Sequence, residues 1–285
     1  MNRPRARSMP PLGLSAWALP MLALAGGCAD TTGGARVHFA AIVENDALAD
    51  GEAAVWADAD SGWTLRLDRA TLAVGPVYLW SDEPQLDVNG VGLRAPVRRR
   101  GLLDLLVPAA HANGADQFRA GFLRAEVTDQ VEIDLLADLE LHLGEGRGLA
   151  GPVRSGEVWL EPLSGGETLS MEGQAERAGE VVPFSVELSY DDRWVDVEGG
   201  DSPVVLRRLR GLELEGTLAE GGALRVHIDH RAALRGIDWS SLPLERPEAP
   251  APIPLDAETT AGRVLAQRLR QVGSSGPWAL EWEAP

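Results

Sequence analysis

Apolar and polar residues alternate in short runs along most of this chain. Val37 and Phe39 alternate with Arg36 and His38, and Trp63, Leu65 and Leu67 with Thr64, Arg66 and Asp68. Val131, Ile133 and Leu135 oppose Glu132 and Asp134; Leu139, Leu141 and Leu143 oppose Glu140 and His142. The same period returns at Phe184, Val186, Leu188 and Tyr190, at Leu212 and Leu214, and at Leu224, Val226 and Ile228. A period of two places successive side chains on opposite faces of a strand, one face dry and one wet. Gly75-Pro76, Gly165-Gly166, Gly199-Gly200 and Gly221-Gly222 punctuate these runs as turns. The pattern predicts an all-β, mainly antiparallel fold, a β-sandwich or barrel-like sheet.

Three stretches depart from it. Residues 81–116 lack sustained alternation and carry Arg98-Arg99-Arg100 followed by Leu102, Leu103, Leu105 and Leu106. An excursion of that length is functional or unstructured, and its leucines predict that part of it packs, as a short helix. Residues 243–254 hold five prolines and predict an extended connector. Immediately after it, Ala257, Ala261, Val264, Leu265, Leu269 and Val272 recur at helical spacing. Asp256 is placed to cap this one C-terminal helix and Gly273 to end it. Trp278, Leu280 and Trp282 then alternate with Ala279, Glu281 and Glu283 as a closing strand.

The N-terminus has a different grammar. Arg3, Arg5 and Arg7 precede an apolar run from Leu12 to Ala25, and small residues lead into Cys28, the only cysteine. A positive region, an apolar core of this length and a small-residue end predict a cleaved export signal over residues 1–27. The apolar run is shorter than the roughly 20 residues of a membrane-spanning helix. Residues 28–35 then form a tether, and residues 36–285 the β domain. That domain reads as one continuous unit, with two packed halves split near residue 150 as the alternative.

Leu24-Ala25-Gly26-Gly27-Cys28 resembles the lipobox of bacterial lipoproteins, with Ala25 where that family prefers leucine. The resemblance implies a covalent lipid on Cys28 and anchoring in the membrane through it. The residue after the cysteine is Ala29 rather than aspartate, which by the same resemblance implies the outer membrane. The body resembles the uncharacterised β-rich lipoproteins of Gram-negative bacteria, a resemblance that carries no functional residues with it.

Charge narrows the partners. The chain carries 26 basic residues, all arginine, against 43 acids, for a net −17. Without residues 1–27 the balance falls to −20, since three arginines and no acid leave with them. Such a surface is unsuited to nucleic acid and repels anionic headgroups, so membrane contact is assigned to the lipid. With Cys28 lipidated, no disulfide, cysteine zinc site or cysteine nucleophile is available.

The chain holds no G-x-S-x-G elbow, no phosphate-binding G-x-x-x-x-G-K-[ST] loop and no H-E-x-x-H pair. The expectation is a non-catalytic binding or structural module of the envelope, meeting envelope proteins or glycans, and not an enzyme. Trp159, between Glu157 and Glu161, is the candidate platform for a glycan or peptide, unless the sheet is covered there. The alternative is a periplasmic protein binding zinc or copper through His111, His227 and His230, with Asp116 or Asp229 adding an oxygen. His227 and His230 fall on opposite faces of a strand and meet only if the chain turns at Asp229. Asp58-Ala59-Asp60-Ser61-Gly62 opens like a calcium loop but has Trp63 and Arg69 where glycine and an acid belong, and reads as an acidic turn.

Overall fold

The computed structural model describes residues 34–83, 122–163, 166–194, 202–246, 248 and 252–285. Fourteen strands and five short helices are found among them. In chain order the first strands are β1 (Arg36–Asn45), β2 (Val55–Asp58), β3 (Trp63–Val74), β4 (Val77–Trp80), β5 (Leu123–Val127), β6 (Val131–Asp134) and β7 (Glu140–Leu149). They are followed by β8 (Gly151–Trp159), β9 (Leu169–Arg177), β10 (Glu180–Leu188), β11 (Arg208–Leu218), β12 (Ala223–Ile228), β13 (Ile253–Leu255) and β14 (Trp278–Glu283). The helices are α1 (Asp46–Ala49), α2 (Pro203–Leu206), α3 (His230–Leu234), α4 (Leu242–Glu245) and α5 (Thr260–Leu269).

Eight strands form one sheet in the order β11-β8-β4-β5-β7-β1-β12-β14, and it curls into a nearly closed barrel. No ladder joins the end strands β11 and β14. Instead β14 packs over β11 and β8: a Cβ on Gly216 of β11 would lie 2.7 Å from the Cβ of Trp282, and one on Gly156 of the neighbouring β8 would collide with Leu280. Glycine is needed there because the closing strand comes too near for any side chain. The second sheet runs β13-β10-β9-β3-β2, with β6 paired to β3. All pairings are antiparallel except β1 with β12 and β10 with β13.

The alternation sets which faces are dry. Phe184, Val186, Leu188 and Tyr190 are buried while Glu187 is exposed, and Leu224, Val226 and Ile228 are fully buried beneath Arg225 and His227. In β3 the period slips at a bulge opposite β9, where Asp68 and Arg69 both face solvent. The extra residue lets Ala70, Leu72 and Val74 regain the dry face already held by Trp63, Leu65 and Leu67. A single hydrophobic cluster unites both sheets with α3 and α5. Residues on either side of 150 interleave in both sheets and belong to one compact unit, Ala35–Pro285, with no boundary near 150.

Several local expectations are corrected. The helix starts later than Asp256: Thr259 is its cap and accepts from the Gly262 N–H at 3.1 Å. Asp256 instead accepts from the backbone N–H groups of Glu258 and Thr259, forming the turn that precedes the cap. The proline stretch is not wholly extended, since Pro243 occupies the first turn of α4. Pro254 lies within β13, which pairs only with β10 in this sheet and so tolerates a missing N–H. Leu139 is exposed because β7 begins one residue after it. The excursion beyond residue 83, with His111 and Asp116, lies outside the described residues. Among those residues, no helix is long and apolar enough to cross a membrane.

Candidate functional site

β12 lies between β1, which is parallel to it, and β14, which is antiparallel. Its outward residues therefore meet outward residues from both ends of the chain. Glu44 is in register with His227 across one ladder and with Glu140 across the next. From the other side, Glu281 is in register with Arg225. Asp46, the first residue of α1, sits just past the end of β1.

Arg225 and His227 divide these acids between them. Arg225 Nη1 donates to Glu44 Oε2 at 3.1 Å and Glu140 Oε1 at 3.0 Å, and its Nε donates to Glu283 Oε2 at 3.2 Å. His227 Nδ1 lies 3.0 Å from Asp46 Oδ1 and 3.9 Å from Glu44 Oε2, while Nε2 lies 3.3 Å from Glu281 Oε2. Five carboxylates thus share one guanidinium and one imidazole, and with a neutral ring the group is short of positive charge. The Asp46 hydrogen bond raises the His227 pKa above its usual value, against the opposing effect of burial.

One ligand atom each from Glu44, Asp46 and His227 falls within 4.8 Å of the others. An imidazole nitrogen with two carboxylate oxygens suits a divalent transition metal such as zinc. Glu281 occupies the place of an outer carboxylate that accepts the second ring N–H and orients a metal-bound histidine. A metal at Nδ1 would take the place of a proton between that nitrogen and Asp46 Oδ1.

His230 has the opposite character. The chain does turn at Asp229, whose carboxylate caps α3 by accepting from the Arg231 N–H. The turn carries His230 into the core, with Nε2 3.0 Å from the Ala53 carbonyl and the ring edge-on to Trp56. Burial lowers its pKa. Its folded state resists the proton that the unfolded chain accepts, so it costs stability as pH falls below about 6.5. His227 and His230 share no partner, His111 lies outside the described residues, and the groups that do gather beside His227 are carboxylates from β1, α1 and β14.

Trp159 lies on the outside of β8. Its indole N–H donates to Glu157 Oε1 at 2.7 Å, and the Arg208 guanidinium stands 4.3 Å from the ring centroid. Glu157 is itself buried, with Arg210 Nε 3.3 Å away. The polar handle and one ring face are already engaged within the protein. In the acidic turn at residues 58–62, the one buried acid, Asp58, is satisfied within the protein: it accepts from the Asp60, Ser61 and Gly236 donors.

Sequence patterning places Glu281 on a polar strand face and does not single out Glu44 or Asp46. Nothing local joins Glu44 and Asp46 to His227, because the parallel β1–β12 ladder that does so links segments about 180 residues apart. Comparison of the chain with protein-family models, with curated proteins and with solved structures gives no match.

Proposed function

We propose that this chain is a lipid-anchored envelope protein of the outer membrane. In this reading its barrel is a non-catalytic binding module that takes a divalent transition metal at Glu44, Asp46 and His227. The observation that carries the metal reading is the His227 ring, set among three carboxylates with oxygens of Asp46 and Glu44 on its Nδ1 side. The engaged indole of Trp159 makes that face the weaker candidate for a glycan. The anchor rests on the residues leading to Cys28.

Metal content is measured on the full chain after desalting in strong salt, which removes ions held only by the general negative charge. After zinc loading at about pH 8, roughly one equivalent is expected to remain. Protons compete for Nδ1, and the His227 pKa is raised, so release begins above the usual histidine value of about 6.5 as pH falls. His227→Gln should retain less than about a tenth of an equivalent. The same low figure for the unsubstituted chain, or equal retention in both, would overturn the metal reading. The anchor is tested separately by radiolabelled palmitate: label is expected on the full chain and not on Cys28→Ala, and label kept by the variant removes it.

A further inference from the structure

The N-terminal end of β1 pairs with the C-terminal end of β7, with Arg36 opposite Leu149, and β7 pairs on its other edge with β5, with Ala125 opposite Gly148. A groove of about 500 Å³ runs over these strand ends and is lined by Arg36, His38, Arg124 and Arg147. Glu126 is the one acid in its wall, and Arg147 Nη2 holds it at 2.7 Å. Among the described residues, Arg36 and Arg124 have no carboxylate partner, and the Nε of Arg124 is buried without a hydrogen bond. Arg36 on β1 and Arg124 on β5 both line this groove, with β7 between their strands.

Apolar side chains are also exposed where the chain enters the strand that supplies Arg124. Phe122 is 83 % exposed and Leu123 is 43 % exposed, immediately before Arg124. Leu149, half-buried, adds apolar surface to the groove itself. Arginine beside an exposed aromatic and leucine suits the boundary between headgroups and acyl chains, where the apolar parts bury and the guanidinium meets phosphate.

We infer that this groove is a docking surface for a bilayer containing anionic phospholipid, and that it turns this end of the barrel toward the membrane. The inference rests on the lipid anchor proposed above. Arg36 follows Cys28 by eight residues, which span at most about 28 Å when extended, so the anchor holds this end near the headgroups. The net −20 governs approach from afar. Beyond about 10 Å it is screened at 0.1 M salt, and at contact the local excess of arginine decides. Each arginine at an anionic surface favours contact by about fivefold.

The lipidated full chain is placed in vesicles of phosphatidylcholine alone, or with one-third phosphatidylglycerol. Its arginines are then labelled with a dicarbonyl reagent and read peptide by peptide. Arg36 and Arg124 should label at least about fivefold more slowly in the anionic vesicles. In the double variant Arg36→Glu, Arg124→Glu, the remaining Arg147 should label equally in both. Equal labelling of the unsubstituted chain in the two vesicles overturns the inference, as does slowed Arg147 labelling that survives in the variant. Circular dichroism matching the unsubstituted chain shows that the variant is folded; if it is not, the unsubstituted comparison decides. Failure of the anchor is read independently, as absence of lipid mass on the Cys28 peptide. The unlipidated chain must then sediment with anionic vesicles and not with neutral ones for the groove to stand.

Discussion

Phe184→Ala is expected to lower the free energy of unfolding by about 3–5 kcal/mol, through lost burial and the cavity left behind. The ring is fully buried in β10 and lies 4.6 Å, centroid to centroid, from the buried indole of Trp239. On one side it belongs to a sheet and on the other to the irregular segment between α3 and α4, so neither can easily close the gap. Glu187, on the opposite face of the same strand, is exposed, and Glu187→Ala should change stability by no more than about 0.5 kcal/mol. Urea unfolding of both variants checks this. Equal losses at the two positions would show that the faces of β10 are assigned wrongly.

Asn45→Ala should be nearly as damaging, at about 2–4 kcal/mol. Asn45 is completely buried at the end of β1, where its Nδ2 donates to the Leu135 carbonyl at 2.7 Å. Its Oδ1 accepts from the Leu48 N–H and so caps α1. Alanine would leave a buried carbonyl and a helix N–H unpaired together. Asn45→Asp separates these contributions, because a carboxylate can still cap but cannot donate to Leu135. At neutral pH the aspartate variant should be at least as unstable as alanine, recovering in acid when its protonated oxygen can donate. Urea midpoints at neutral and acidic pH supply the comparison, and an aspartate variant indifferent to pH would count against this account.

The faces of the strands were legible because burial repeats every second residue and needs no knowledge of the partner strand. Phe184, Leu224 and Trp278 are read correctly on that ground alone. Pairing is another matter. The run at residues 37–43 fits equally well beside many strands, and only the folded register places Glu44 against His227. The helix cap was misassigned because Asp256 and Thr259 both carry suitable oxygens, and the choice depends on where the backbone first turns helical. His230 was read as a strand residue because the alternation of β12 runs up to it; the Asp229 cap that ends the strand is a matter of backbone angle. The arginine groove was hidden for a related reason. Arg36, Arg124 and Arg147 are isolated in sequence and gather only when β1, β5 and β7 align.

The parallel ladder between β1 and β12 has a consequence for the order in which the chain is made. Among the described residues β1 is made before the other strands, yet one of its two neighbours begins at Ala223, and the barrel closes only around β14. Until then, one edge of β1 stands open, presenting unpaired backbone groups to any passing strand. Contacts this distant along the chain also slow folding, since a long loop must close before they form. A ribosome stalled before residue 223 therefore releases a product with a hydrophobic strand and no neighbour to cover its second edge. For such a fragment, a chaperone that holds unfolded chains, or prompt degradation, stands between synthesis and aggregation.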